Sequence, residues 1–533
     1  MTSSEPMKAP SATAPHAYDA IVIGAGHNGL AAAAKLGRSG RRVLVLEAAN
    51  APGGAARGRE FAPGFRSAGL AHLVNRLDPE VARDLGLSLA ARPGPAMPTA
   101  VLDGEREPAV LRGAYGEAID GVTAEEAAAF SRLRDKLVFQ AGILKRFLRR
   151  PPPQLGAIGI GDISTLAAAG FGLIRKGRAE GRDFLRMLLM NVADVADEYL
   201  EDDRLKALLA FDATLGIHLG PRSPTSLLGL YYRLTGEVAG KAGGQFIPEG
   251  GMAAVAPAFV RAAESAGVTI RCGARVGRIL ADRGSTRGVI LSDGTELTAP
   301  VVVSAIHPQA TFLHLVDPVE TGTGFLRSIR HVRSAGNVAK LDLALSRMPN
   351  FDGLSGRDHA GRIVIARSMS HVEDAFNPAK YGEFSPDPVM EIVLPSLADA
   401  TLAPDGACTL SALIQYAPYR LKMGWESGKP AFLRIVLDIL ERHAPGIGDT
   451  IVAADLATPA DIETEYNLPG GHWHHGELQA DQLLINRPTG AASGYTTPIE
   501  GLYLASAGAH PGGGISGLAG WNAARHILAG DRR

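Results

Sequence analysis

The chain has 533 residues, 46% of them apolar and 20% charged, with a formal charge of −1. This length supports roughly two or three domains and a large core, and the near-zero charge gives no global field toward nucleic acid. Cys272 and Cys408 are the only cysteines and lie far apart, which excludes a C-x-x-C redox pair and a cysteine zinc ribbon.

Residues 1–17 are rich in Ser, Ala, Pro and Thr. They lack the apolar run of a secretory signal and the arginines of a mitochondrial presequence, so a disordered tail is expected. No window approaches the length of uninterrupted apolar sequence that a transmembrane helix needs. The expected location is cytoplasmic, with a peripheral place at the inner face of a membrane kept open.

Ala20-Ile21-Val22-Ile23 is a short β-branched run that reads as a buried parallel strand. Gly24, Gly26 and Gly29 then fit G-x-G-x-x-G. The first glycine allows a tight turn, the second lets backbone approach a pyrophosphate, and the third lets a helix pack closely on the strand. Leu30 to Gly37 favours helix, Arg42 to Leu46 reads as a second strand, and Glu47 stands where a carboxylate accepts from ribose hydroxyls. A 2′-phosphate would be repelled there, which disfavours NADP. The glycine pattern alone is weak; strand, helix, strand and acid in order make a dinucleotide-binding unit.

Residues 122–235 are rich in helix formers, and Thr123 followed by acids marks a helix start. "PPPQLG" (151–156) is a break. Residues 131–150 carry seven Lys/Arg against Asp135, interleaved with apolar positions. That pattern fits a solvated helix over a substrate domain or a membrane-surface contact. "LIRKGR" (173–178) has the same ambiguity. Around Pro248 an α/β pattern returns, with a helix from about Met252, strands near 268–272, 274–281, 286–291 and 300–304, and a hairpin turn at "SDGT". Mixed elements fill 335–480, and the end reads as strand, glycine loop and helix.

Three features favour a resident flavin over a visiting nicotinamide. The Gly53-Gly54 pair lets a second loop close over the pyrophosphate. The loop "GAHPGGGISG", from Gly508, precedes a helix whose free N–H groups suit an anionic isoalloxazine edge. Nucleotide-type segments also occur at the start, middle and end, as burial of a long FAD needs. Gly512, Gly514 and Gly517 spell a second G-x-G-x-x-G, but the chain is too short beyond them for another strand and acid. With one nucleotide fold, electrons are expected to leave to oxygen or a quinone. The fold class is α/β: a Rossmann-like FAD-binding domain (18–90, 240–310 and 490–533) interleaved with a mixed α+β substrate or lid domain (91–239 and 311–489).

"YDAIVIGAGHNGL", "LEAANAPGG", "YNLPGGHWHHGELQADQLL" (466–484) and "GLYLASAGAHPGGGISGLAG" (501–520) together resemble the phytoene desaturase-like flavoproteins of the amine oxidase superfamily, from about residue 18 to 530. The resemblance implies that Val276 contacts adenine through its backbone, that Ser304 and Ala305 line the cofactor, and that Gly514 and Ile515 face the flavin. Ala55 and Ala56 separate Arg57 from the glycine pair, a departure from the superfamily pattern.

The expected reaction is removal of hydride from a substrate carbon by FAD, the protein supplying orientation and a dry pocket. The substrate is expected to be apolar, of isoprenoid or lipid type. A flavin amine oxidase, a flavin-bound isomerase or a partner-binding protein are the alternatives. His510 in the glycine loop, His72 after the first nucleotide unit and His475 in "HWHH" are the candidates for proton handling or ligand contact. "HWHH" offers two ligands to a metal and no visible third, so no metal is assigned. Oligomeric state is open.

Overall fold

The computed structural model describes residues 17–89, 96–153 and 160–530. The expected tail therefore lies almost wholly outside the described residues, as does the second half of the "PPPQLG" break.

Five strands among the described residues form a parallel sheet in the order Thr269–Arg271, Val43–Leu46, Ala20–Ile23, Val301–Ser304, Leu502–Leu504. The three inner strands are almost wholly apolar because helices cover both faces. The first helix runs His27–Gly37 and packs against Leu518–Gly530 and Val255–Ser265. It starts before Leu30, where apolar periodicity begins, because Gly26 already accepts from Leu30 N–H at 2.9 Å. Strand order reverses between Ala20–Ile23 and Val301–Ser304, which opens a crevice at their C-terminal ends. Gly24 and Ala305 stand at that crevice. The strands foreseen between 268 and 304 are present, and Ser292–Thr295 turns a hairpin between Ser285–Leu291 and Glu296–Thr298.

A second, mixed sheet of eight strands runs Ile451–Ala457, Val338–Leu345, Cys408–Gln415, Val389–Val393, Arg362–Ile365, Thr99–Leu102, Ala109–Arg112, Ala118–Asp120. One face packs on the helix Trp425–His443 through residues such as Leu341, Ile363, Ile392 and Phe432. The other meets a helical layer that includes Ala124–Leu148, Asp203–Thr214 and Leu227–Leu234. Thr123 caps the first of these, accepting from Glu126 N–H. Side chains alternate along a strand, and the register places Lys340, Asp342, Arg362, Glu391 and Ser411 together on this second face.

Candidate active site

A cleft of about 500 Å³ follows the crevice of the parallel sheet. Glu47, Val276, Gly24, Gly26, Ala305, His475, Ala507 and Gly514 are among its lining residues, with Ala305 beside Gly24. Glu47 is fixed by two backbone donors, Ala25 N–H at 2.7 Å and Ala49 N–H at 2.9 Å, and its remaining lone pairs suit ribose hydroxyls. The second glycine pair closes on the first: Gly53 N–H donates to Ala25 C=O at 2.9 Å, and a Cβ on Gly54 would stand 3.1 Å from Gly26 Cα. A Cβ on Gly26 would meet no protein atom within 4 Å, so that face opens on the cleft at the N-terminus of the first helix. His307 Nε2 and His475 Nδ1 are buried there without partners. A cleft lined by an acid, an anion-binding turn and unmet polar atoms fits FAD.

A cavity of about 180 Å³ adjoins it, sharing His27, Ala55, Trp473 and Gly514 as a common wall. Leu70, Leu215, Ile217, Leu413 and Ile515 make it mainly apolar. Its polar floor comes from the second sheet. Arg362, fully buried, ion-pairs with Glu391 and Asp212, and Arg233 Nε lies 3.3 Å from Asp212. His72 joins the network through Glu391 at 2.7 Å and Ser411 Oγ at 3.0 Å. Lys340 donates to Ser411 at 2.6 Å and sits 3.3 Å from Asp342. Because the ionised Glu391 carboxylate only accepts, His72 Nε2–H donates to it, and Nδ1 of the neutral ring then accepts from the Ser411 hydroxyl. Burial pushes the Glu391 carboxyl up, but the Arg362 charge and the His72 hydrogen bond outweigh it and hold it well below the usual range. Burial lowers His72, more than Glu391 raises it. Three cations, Lys340, Arg233 and Arg362, thus answer three anions, Asp342, Asp212 and Glu391.

The structure distributes the sequence-derived candidates unevenly. Gly24, Gly26, Glu47, Gly54, Val276 and Gly514 line the cleft. Gly29 and Gly53 act beneath it as packing positions; a Cβ on Gly53 would meet Ala256 Cβ at 2.7 Å. Ser304 is turned away, its hydroxyl bonded to Thr311 Oγ1 at 2.6 Å, and Ala305 takes the lining position. Gly508 is likewise a packing position, 2.5 Å from Pro308 if it carried a Cβ, while Ala507 lines the cleft. Ile515 faces the smaller cavity. His72 lines that cavity, and His475 lines the cleft, its ring 5.4 Å from His307. His510 lines neither: Nε2–H donates to Phe147 C=O at 2.9 Å, tying the glycine loop to the long helix. "HWHH" fans out rather than converging, with His474 at the small cavity, His475 at the cleft and Trp473 in the shared wall. Three of the seven basic residues of 131–150 form ion pairs across elements: Lys136 with Asp183, Lys145 with Glu237 and Arg149 with Asp78 and Glu80. Among the described residues no helix is long and apolar enough to cross a membrane.

The sequence reading missed the buried arginines, Arg487 and Arg76 among them. Arg487 donates to the carbonyls of His474, Gly476, Glu477, Gln482 and Ala507, locking the "HWHH" loop to the glycine loop. Burial lowers it to about 10. Arg76 lines the small cavity. Neither belongs to a motif.

Several histidines are held neutral by burial. His27 is lowered to about 4, His475 to about 3 and His510 to about 4, desolvation being the largest cause in each. Their folded pKa values lie below the unfolded value near 6.5, so the unfolded chain binds more protons as pH falls through 6.5. Stability is full above that value and is lost on acidification, by about 4 kcal/mol per pH unit below about pH 6. Denaturation midpoints at pH 7, 6 and 5 are expected to fall steadily. Equal midpoints would mean that these rings are charged in the fold.

The flavin containing amine oxidoreductase family matches residues 29–370. Pyridine nucleotide-disulfide oxidoreductase domain-containing protein 2 of Mus musculus is 34% identical, over 96% of this chain and 94% of its own. A phytoene desaturase (neurosporene-forming) of Cereibacter sphaeroides is 26% identical, over 94% and 92%. Among solved structures, cyclohexylamine oxidase from Brevibacterium oxydans shares the fold with a TM-score of 0.58 at 18% identity, covering 97% of this chain and 100% of that one. With the dinucleotide cleft and the adjoining cavity, these matches establish that the chain belongs to the flavin-containing amine oxidoreductase family and is an FAD-dependent oxidoreductase.

Proposed function

We propose that the enzyme is a dehydrogenase or desaturase acting on an apolar, lipid-like substrate rather than on an amine. The carrying observation is the charge state of the small cavity. Its carboxylates, Asp212 and Glu391, are already paired with Arg362 and Arg233. Arg76 adds a positive charge. An ammonium entering here finds no free anion and meets a cation, whereas an apolar body packs on Leu70, Ile217, Leu413 and Ile515. The phytoene desaturase relatives support the same reading.

Bound FAD supplies a hydride acceptor at its ring. Trp473 and Gly514 form the wall between cleft and cavity and so orient the substrate carbon. His72 is the protein group proposed for the proton that leaves when a double bond forms. Both ring nitrogens are engaged, so the proton would reach Nδ1 by relay through the Ser411 hydroxyl, with the Glu391 carboxylate 2.7 Å from Nε2 facing the resulting charge. The aliphatic walls keep water from the reacting carbon. Oxygen or a quinone is the proposed acceptor.

Anaerobic mixing with a panel of lipids, polyenes and amines tests this. Bleaching of the flavin by an apolar compound, with amines inert, is the expected result. Bleaching by amines, followed by peroxide on admission of air, would instead establish an amine oxidase. Product formation with the flavin oxidised throughout and no acceptor present would establish an isomerase.

A further inference from the structure

Arg76 stands outside the balanced charge network. It is only 6% exposed and lines the small cavity. Its guanidinium lies 3.3 Å from the centroid of the Tyr232 ring, so one face is stacked. Stacking uses the face and leaves the in-plane donors unspent. Nε and Nη1 are both buried with no hydrogen-bond partner. Asp78, whose charge acts on it, is engaged by Arg149 Nε at 2.9 Å. Tyr232 is fixed in turn, its hydroxyl donating to Gly513 C=O at 2.8 Å. The aliphatic stem packs on the same loop: a Cβ on Gly514 would stand 3.2 Å from Arg76 Cδ. Arg76 therefore sits over Tyr232 in the wall of the small cavity, beside Gly514, with two donors that meet no acceptor among the described residues.

Buried donors left unmet are costly, and a charged group more so. A guanidinium is planar and permanently charged and a carboxylate is its complement; because Nε–H and Nη1–H leave the plane from different edges, one carboxylate takes only one of them, paired with Nη2–H. We propose that Arg76 anchors the carboxylate of an amphipathic substrate, an apolar body ending in a carboxylic acid, and so fixes which carbon lies beside Gly514. This rests on the apolar-substrate reading above and adds a head group to it. Asp212 and Glu391 do not compete for Arg76, because Arg362 and Arg233 hold them.

The test is spectral titration of the FAD-loaded enzyme with decanoate, decanol and decylamine, which share one chain and differ in head group. Decanoate is expected to perturb the flavin spectrum and to bind at least about tenfold tighter than decanol. Arg76→Met is expected to bring decanoate to the decanol level and leave decanol unchanged, with Arg76→Lys intermediate. Equal binding of decanoate and decanol by the unmodified enzyme overturns the anchor and leaves the apolar-substrate reading standing; this arm needs no variant. Tightest binding by decylamine, with bleaching, overturns that reading itself. Loss of FAD from Arg76→Met with the decanoate-to-decanol ratio unchanged also overturns the anchor and assigns the guanidinium to the cofactor.

Discussion

A Gly26→Leu variant is expected to fold and to lose its flavin. Gly26 has φ −71°, open to any residue, and its Cβ direction meets no protein atom within 4 Å. The added side chain enters only the cleft. Thermal stability of the cofactor-free protein should change by less than about 0.5 kcal/mol, the usual range for a substitution without buried contacts. FAD affinity should fall at least a hundredfold, about 2.7 kcal/mol. Gly29→Ala makes the contrast. Its Cβ would stand 2.0 Å from Gly24 C=O, a backbone clash that forces the strand-turn-helix unit apart, so this variant should lose stability and flavin together. Absorbance after dialysis gives the stoichiometry and thermal melting the stability. If Gly26→Leu keeps a full complement of FAD, the opening glycine turn is not where the cofactor rests.

Arg362→Met should be among the most destabilising single changes available. Arg362 is fully buried between Asp212 and Glu391, and its removal takes the shared cation from Glu391 on the sheet and Asp212 on the helix Asp203–Thr214, leaving them only His72 and Arg233. Breaking such a pair costs about 3–5 kcal/mol, because the remaining charge is buried unpaired. Replacing Arg362, Asp212 and Glu391 together by apolar residues of similar volume should recover most of the loss. Glu391, held low in the native fold, contributes stability above its unfolded value near 4.5 that is lost as pH falls through the lower folded value. Arg362→Met should remove this contribution and flatten the acid limb of the stability profile. Urea denaturation of the single and triple variants at several pH values measures both effects. A triple variant as unstable as the single one would show that the cost lies in lost packing rather than in unpaired charge.

Local chemistry explains why the cofactor half was legible. The β-branched run Ala20–Ile23, the glycines that only a tight turn and a close helix require, and Glu47 at the end of the next strand each carry their geometry in their residue type. The strand-to-helix passage at 502–530 was legible for the same reason. Two of the cofactor positions sit one residue off the cleft lining. Ser304 and Gly508 neighbour the lining residues Ala305 and Ala507, and motif spelling does not say which way a side chain turns.

The substrate half left a weaker trace. "VAKLDLAL", "RIVI" and "VMEIV" are apolar strands with charges at alternate positions, a sign that one sheet face holds a buried polar network. No spacing in the chain tells that Arg362 reaches both Asp212 and Glu391, or that Ser411 joins Lys340 to His72. His510 seemed well placed by its loop, yet the fold points its ring at Phe147 C=O, a partner 363 positions away in sequence.

The sequence by itself determined that this protein binds a flavin dinucleotide, because glycine sterics and a single acid act within one strand-helix-strand unit. Only the tertiary structure decided which charges remain free at the substrate. Charge pairing is set by side chains brought together from distant strands and helices, and it left Arg76 alone with unmet donors.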